Sequence, residues 1–250
     1  MSRGQVLAVR AAIVLAVLVA WEAAARALDP LLYVPPSRVG PALVRLLALR
    51  SYPALPAHLW LTVREILVAY ALAVSAGVAT GFVLGLRPAL GRVYAPLLGA
   101  LYAVPSVVWY PSLMLLFGLD AASKIAFGFL LGFFPIVLAV LAGIRQVPPH
   151  LVTVGRAFGA SRLALFARVM LPSMLATLMA GLRTGLALSV VGVIVGEVLG
   201  AKAGLGYLIT YAYGLLRTAD YVALVLLILA LVLAIDGAAL LVERRSRRWT

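Results

Sequence analysis

The sequence contains no cysteine, only two histidines and few charged residues, and each shortage excludes a class of protein. Without cysteine, its 250 residues hold no disulfide, no thiolate metal ligand and no cysteine nucleophile. His58 and His150 lie far apart in the chain and favour no histidine metal site. Charged residues make up 12% of the chain, against about 25% in a typical soluble domain. This composition excludes a soluble enzyme, a disordered protein and a disulfide-stabilised secreted domain.

Long apolar runs are abundant instead. Hydrophobic residues make up 65% of the chain, more than a globule of this size can bury. A helix that spans a bilayer needs about 20 mostly apolar residues, and the alternation typical of a membrane barrel does not occur. We therefore predict an all-α integral membrane protein with about six transmembrane helices, over residues 6–27, 59–86, 93–117, 125–144, 173–199 and 221–242.

The distribution of basic residues predicts that both termini are cytoplasmic. In that orientation twelve of the 21 Lys and Arg residues lie on the inner side, seven lie in outer loops, Lys124 and Lys202 among them, and Arg64 and Arg183 fall within spans. Positive charge concentrates on the cytoplasmic side of membrane proteins. The formal net charge of +13 is therefore interpreted as topology and lipid contact rather than nucleic-acid binding.

The spans and the proline-rich stretches divide the chain into segments. Residues 1–28 are predicted to form an N-terminal anchor helix, retained rather than cleaved as a signal peptide. Residues 29–58 form an external segment with a short surface helix, which Ser37 is expected to cap. Residues 59–242 form the transmembrane core, with a cytoplasmic loop at 145–172, and residues 243–250 form a basic cytoplasmic tail.

Recognisable catalytic sequences are missing from the chain. No glycine-rich loop ends in Gly-Lys-Ser or Gly-Lys-Thr, so the chain cannot hydrolyse ATP by the P-loop route. No His-Glu-x-x-His or Gly-x-Ser-x-Gly sequence occurs, and no carboxylate pair stands at helical spacing inside a span. These observations predict a non-catalytic protein without a cofactor or metal of its own.

The cytoplasmic loop 145–172 is the most informative segment. Gly159 is predicted to end one short helix in the left-handed conformation. Ser161 is predicted to cap a second helix that runs to Leu171, and Pro172 to begin the turn into the fifth span. The resulting elbow has two interpretations: an amphipathic connector whose arginines touch lipid, or a docking element for a cytoplasmic partner.

The loop resembles the signature loop of binding-protein-dependent ABC importer permeases. That signature reads Glu-Ala-Ala, three residues, Gly, nine residues, then Ile-x-Leu-Pro. Gly159 matches its glycine, residues 169–172 (Val-Met-Leu-Pro) match its end, and residues 153–155 (Thr-Val-Gly) replace Glu-Ala-Ala. The resemblance implies that a partner ATPase docks on Thr153, Val154, Gly155, Arg156, Ala157, Phe158, Gly159, Leu171 and Pro172.

Three further segments are similar to the same family, in the same order along the chain. They are residues 34–37, residues 117–124 and residues 196–209, the last of which is similar to the nitrate, sulfonate and taurine branch. The resemblance implies a type I ABC importer permease in the cytoplasmic (inner) membrane of a prokaryote. It implies two ATPase subunits that bind ATP and Mg, a second permease copy in a homodimer, and an external binding protein that delivers a small organic or inorganic anion.

Several residues within the spans are candidates for a translocation pathway or gate. Glycines spaced by four predict close helix packing in the second and fifth spans. Arg183 lies deep in the fifth span, where it either meets an anionic substrate or pairs with a carboxylate such as Asp236. The candidate set is Trp109, Tyr110, Met114, Arg183 and Glu197.

Two other functions stay open from the residues alone. A stand-alone secondary transporter or channel needs titratable groups near the bilayer midplane, and only Arg183 and Asp236 provide them. An integral-membrane enzyme acting on lipid needs an acid–base or metal constellation that the sequence does not show.

Overall fold

Helices dominate the structure, a computed structural model that describes residues 2–29 and 32–246. No strand occurs in these residues. In chain order the α-helices are α1 Arg3–Ala27, α2 Pro36–Leu47, α3 Leu55–Gly85, α4 Pro88–Ala103, α5 Tyr110–Phe117, α6 Ala121–Gln146, α7 Pro149–Ala157, α8 Arg162–Leu165, α9 Leu171–Gly200, α10 Leu205–Gly214 and α11 Thr218–Ser246. A 3₁₀ turn at Ser106–Trp109 precedes α5, and a π-helical turn at Phe166–Met170 precedes α9.

Five segments of the described chain are long and apolar enough to cross a membrane. They correspond to the first, second, fourth, fifth and sixth predicted spans, and are Gly4–Ala27, Leu55–Gly85, Ala121–Gln146, Phe166–Gly214 and Thr218–Leu241. A sixth exists if Pro88–Ala103 and Ser106–Phe117, which meet at an 88° bend, form one broken span.

The bend corrects the prediction of a single third helix over residues 93–117. Val104 at the break has φ −66° and ψ 131°, an extended conformation. It precedes Pro105, and the proline ring disfavours helical geometry in the residue before it. The sequence therefore cannot carry one straight helix through this point.

Contacts divide the chain into two compact units, of which the first comprises Met1–Trp60 and Ala203–Ala230. Here the Glu22 carboxylate, near the end of α1, accepts hydrogen bonds from the Ser37 backbone N–H at 3.0 Å and the Ser37 hydroxyl at 2.7 Å. The prediction that Ser37 caps the surface helix is wrong. Ser37 lies inside α2, and its hydroxyl is engaged by Glu22, while the N-cap Pro35 makes no side-chain cap.

The second unit comprises Leu61–Lys202 and Leu231–Thr250. Within it α6 contacts α4, α5 and α9, and glycines let α3 and α9 approach it closely. A Cβ on Gly81 of α3 would lie 2.6 Å from the Val140 Cβ of α6, and a Cβ on Gly192 of α9 would lie 2.7 Å from the Gly128 Cα of α6. The predicted close packing through small residues is thus confirmed.

Candidate coupling loop and buried polar cluster

The loop at residues 145–172 forms the predicted elbow, and Gly159 ends α7. Gly159 has φ +73°, in the left-handed region that favours glycine. Its N–H donates to the Arg156 carbonyl at 2.9 Å, and the Ala160 N–H donates to the Gly155 carbonyl at 3.0 Å. These two bonds form a Schellman motif, which satisfies the last carbonyls of the helix and fixes the direction of the chain.

The tip of the elbow presents apolar side chains to its surroundings. Phe158, the C-cap of α7, is 87% exposed, and Val154 one turn earlier is 50% exposed. Thr153 uses its hydroxyl within α7, donating to the Pro149 carbonyl at 3.1 Å. An exposed phenylalanine on a capped helix is a feature that a partner protein can bury.

The second arm of the elbow is capped as predicted but ends differently. The Ala164 N–H donates to the Ser161 hydroxyl at 3.2 Å, which confirms the cap. Leu165 is buried, and a Cβ on Gly155 would lie 2.5 Å from its Cδ2, so the glycine allows α7 and α8 to pack closely. The predicted turn at Pro172 is wrong, because Leu165, Met170 and Leu171 are all helical and the backbone continues through the π-helical turn into α9. Pro172 occupies the first turn of α9, where a missing N–H costs least.

A cluster of buried polar residues joins α3, α5, α6 and α9 near the other end of α9. The Lys124 Nζ lies 2.8 Å from the Glu65 Oε1, and these side chains are 4% and 0% exposed. The Thr62 hydroxyl donates to the Glu197 Oε1 at 2.7 Å. The Tyr110 hydroxyl donates to the Gly196 carbonyl at 2.8 Å. We call Thr62, Glu65, Tyr110, Lys124 and Glu197 the polar cluster.

Lys124 of this cluster corrects the sequence interpretation. Lys124 was expected in an outer loop, but it lies in the first turn of α6 and turns inward. Glu65 accordingly has a buried cation as partner. Hydropathy alone cannot reveal that Lys124 is buried, because a lysine at a helix end can equally well point into solvent. The only available signal was the spacing of Thr62 and Glu65, which places both side chains on one face of α3.

The predicted pathway residues do not form one group. Tyr110 and Glu197 belong to the polar cluster and are almost fully buried, and Met114 lies beside Gly200, with its Sδ 2.8 Å from where a Cβ would stand. Trp109, in the 3₁₀ turn, is 40% exposed. Arg183 lies elsewhere in the second unit, facing α11.

Arg183 makes a two-pronged contact with Asp236 of α11. Its Nε donates to Oδ1 at 2.8 Å and its Nη2 to Oδ2 at 2.7 Å. This is the fork geometry that suits a carboxylate, and it shows that the second of the two alternatives, pairing with Asp236, holds in this structure. Arg183 also lines a cavity of about 400 Å³ whose other walls are largely apolar, with Tyr70 and Leu186 among them.

The described residues contain no metal-binding cluster beside these features. Within residues 2–29 and 32–246, no group of three or more His, Asp or Glu side chains is arranged to hold a metal ion. The geometry places an exposed elbow at one end of a continuous helical segment and a buried ionic contact among helices near the other.

Comparisons with known proteins agree with this geometry. Residues 73–248 match the family model described as "Binding-protein-dependent transport system inner membrane component". The taurine transport system permease protein TauC of Escherichia coli is 26% identical over 224 residues, which cover 89% of this chain and 82% of that protein. The riboflavin transport system permease protein RibX of Chloroflexus aurantiacus is 34% identical, over 64% of this chain and 60% of that protein.

The fold is also similar to a solved structure. A chain of the MetNI methionine ABC transporter, in an inward-facing conformation, superposes with a TM-score of 0.64 at 24% identity. The match covers 78% of this chain and 98% of that one. The all-α fold of an importer permease, predicted from the sequence, is confirmed. Because the family model matches well over half of the chain, this protein belongs to the family of binding-protein-dependent transport system inner membrane components.

Proposed function

We propose that this chain is the non-catalytic membrane subunit of an ATP-driven importer and that α7 is its docking element for the ATPase. The exposure of Phe158 on a rigidly capped elbow carries this proposal. ATP and Mg bind to the partner. Two copies of the chain form the pathway, two ATPase subunits dock on the elbows, and an external binding protein delivers the solute.

The continuity of the backbone from α8 into α9 supports a route by which docking drives transport. Helical geometry extends from Arg162 to Gly200, a length of roughly 55–60 Å at about 1.5 Å per residue. The hydrocarbon core of a bilayer is only about 30 Å thick. A displacement of the elbow therefore moves the far end of α9, where Glu197 holds Thr62 of α3.

The solute is a small molecule or ion that carries an anionic group, such as taurine, another sulfonate or nitrate. We name taurine because the name of TauC, the compared relative whose match covers the largest share of this chain, contains it. Within the chain, Arg183 is the candidate contact for an anion, because its guanidinium lines a cavity within the spans. In this conformation Asp236 takes that place, and an anion would compete with the carboxylate for the same donors.

Replacing Phe158 with alanine tests the docking proposal. The tagged chain, purified from its native cells in mild detergent, is expected to recover a P-loop ATPase, and Phe158→Ala to lose most of it. Leu116→Ala is the control, because Leu116 is 75% exposed on α5, outside the loop. Equal ATPase recovery by wild type and Phe158→Ala would contradict the docking role.

A stand-alone secondary transporter is the second candidate, and the Arg183–Asp236 pair favours it. Ionisable groups within spans commonly belong to ion or proton pathways. Purified chain in vesicles would then move solute without ATP or any partner. Solute movement that strictly requires ATP and the ATPase would exclude this alternative.

A further inference from the structure

The first unit contains a basic cavity that the proposed transport function does not use. It has a volume of about 300 Å³ and is lined by Arg38 and Arg45 of α2, by Arg217 and by the first turn of α11. All three arginine residues are exposed. By the orientation predicted from the basic residues, this cavity faces the outer side of the membrane.

The charges around the cavity favour an anion. Three arginines and a single carboxylate, that of Asp220, line it. The Arg45 Nη2 lies 3.9 Å from the Asp220 Oδ1, at the outer limit of an ion pair, and this one carboxylate leaves two positive charges unbalanced. The N-terminus of α11, a helix of 29 residues, adds its own positive potential.

The surroundings of the cavity indicate which anion it takes. Thr218 is the first residue of a membrane-crossing segment, so the cavity lies at the depth of the lipid headgroups. The neighbouring chain exposes Tyr213, Leu215 and Leu216, at 69%, 49% and 52%. Tyrosine and leucine exposed at that depth face headgroups and acyl chains rather than bulk water.

The backbone beside the cavity is held in an uncommon conformation. Leu216, which lines the cavity, has φ +55°, a left-handed geometry that costs a non-glycine residue free energy. Hydrogen bonds fix it there: its N–H donates to the Tyr213 carbonyl at 2.9 Å, and the Arg217 N–H donates to the Ala212 carbonyl at 2.9 Å. The turn therefore places Arg217 at the start of α11 with little freedom.

We propose that this cavity binds the phosphate group of an anionic phospholipid in the outer leaflet. Arginine presents several N–H donors in a planar fork that suits phosphate oxygens, and the exposed leucines lie where the acyl chains begin. The site does not depend on ATPase docking. A failure of the lipid-binding test therefore would not affect the transport proposal, and the reverse is also true.

Native mass spectrometry of the purified full chain, equilibrated with phosphatidylglycerol or phosphatidylcholine, tests the site. We expect phosphatidylglycerol to be retained and phosphatidylcholine to be lost. Arg38→Gln and Arg217→Gln are each expected to weaken retention about tenfold, as the loss of one charge-assisted hydrogen bond does. Arg38→Lys keeps the charge and shows whether a loss comes from misfolding.

Arg50→Gln is the matched control, because Arg50 follows α2 on the same side of the membrane but does not line the cavity. If Arg50→Gln lost as much phosphatidylglycerol as the cavity variants, general surface charge would explain the effect and the proposal would be overturned. Equal retention of phosphatidylcholine would overturn it too, as would displacement by millimolar inorganic phosphate, which would make the ligand a free anion. A further outcome is that the arginine variants retain phosphatidylglycerol as wild type does but lose chemical cross-linking to the external binding protein. That result would overturn the lipid proposal and assign the arginines to an acidic protein surface instead.

Discussion

At the scale of the residue, the Lys124–Glu65 contact is the most costly feature to disturb. Both side chains are almost completely buried, and the Glu65 Oε2 has no hydrogen-bond partner in the described chain. Removing the cation therefore leaves a buried carboxylate without compensation. We expect Lys124→Met to lower the free energy of unfolding by about 3–5 kcal/mol, measured by denaturant unfolding in detergent.

The chain contains a natural control for this experiment. Its only other lysine, Lys202, is exposed, so Lys202→Met should leave the stability almost unchanged. The double variant Lys124→Met with Glu65→Leu should recover most of the loss, because no charge then stays buried. If Lys124→Met alone were as stable as wild type, the ion pair would not matter for the fold.

Residue pairs were the hardest feature to predict from the sequence. The Arg183–Asp236 contact was predictable, because both residues are isolated charges within apolar spans and need a partner. The partner of Glu65 was not, because Lys124 follows an apparent loop and its direction depends on how α6 packs. The partner of Ser37 was not predictable either. The local sequence is equally compatible with a hydroxyl that caps α2 and with one that binds Glu22.

At the scale of the element, the packing of α6 against α9 depends on glycine. A Cβ at position 192 would stand 2.7 Å from the Gly128 Cα, and backbone cannot move aside as a side-chain tip can. Gly192→Ala should therefore force the two helices apart and destabilise the protein by about 1–3 kcal/mol, as overpacking does. Thermal unfolding in detergent measures the effect.

Gly99 of α4 gives the matched control for this substitution. A Cβ there meets nothing within 4 Å. Gly99→Ala should be neutral or stabilise by about 0.5–1 kcal/mol, because alanine in a helix loses less backbone entropy than glycine. Equal effects of the two substitutions would show that helix propensity, rather than packing, decides the outcome.

Helices were predicted more reliably than their interruptions. Apolar length locates α1, α3, α6, α9 and α11, since only a helix satisfies its backbone in lipid. The Gly159 turn was also predictable, because the residue type and the conformation require each other. The break at Val104 was missed because its two flanking segments are as apolar as a continuous span. The proline signal was present, but the size of the bend depends on tertiary packing.

At the scale of the whole molecule, the chain is expected to determine the uptake of a small anion. Cells lacking it should lose uptake of radiolabelled taurine or a short alkanesulfonate and keep uptake of riboflavin. Re-expression of the chain should restore uptake, and Phe158→Ala should not, because the ATPase no longer docks. Loss of riboflavin uptake alone would contradict the anion assignment and favour a solute like that named for RibX.

The buried contact between α3 and α6 also has a consequence for biosynthesis. Glu65 leaves the ribosome 59 residues before Lys124, as their sequence positions show. At about 5–20 residues per second, α3 waits roughly 3–12 s with an unneutralised carboxylate inside an apolar segment. During that interval α3 is a poor substrate for release into lipid, because a charge within the bilayer is costly. We therefore expect α3 to insert into lipid more readily when α6 follows it than when the chain is truncated before α6, which a membrane-insertion assay on truncated chains would measure.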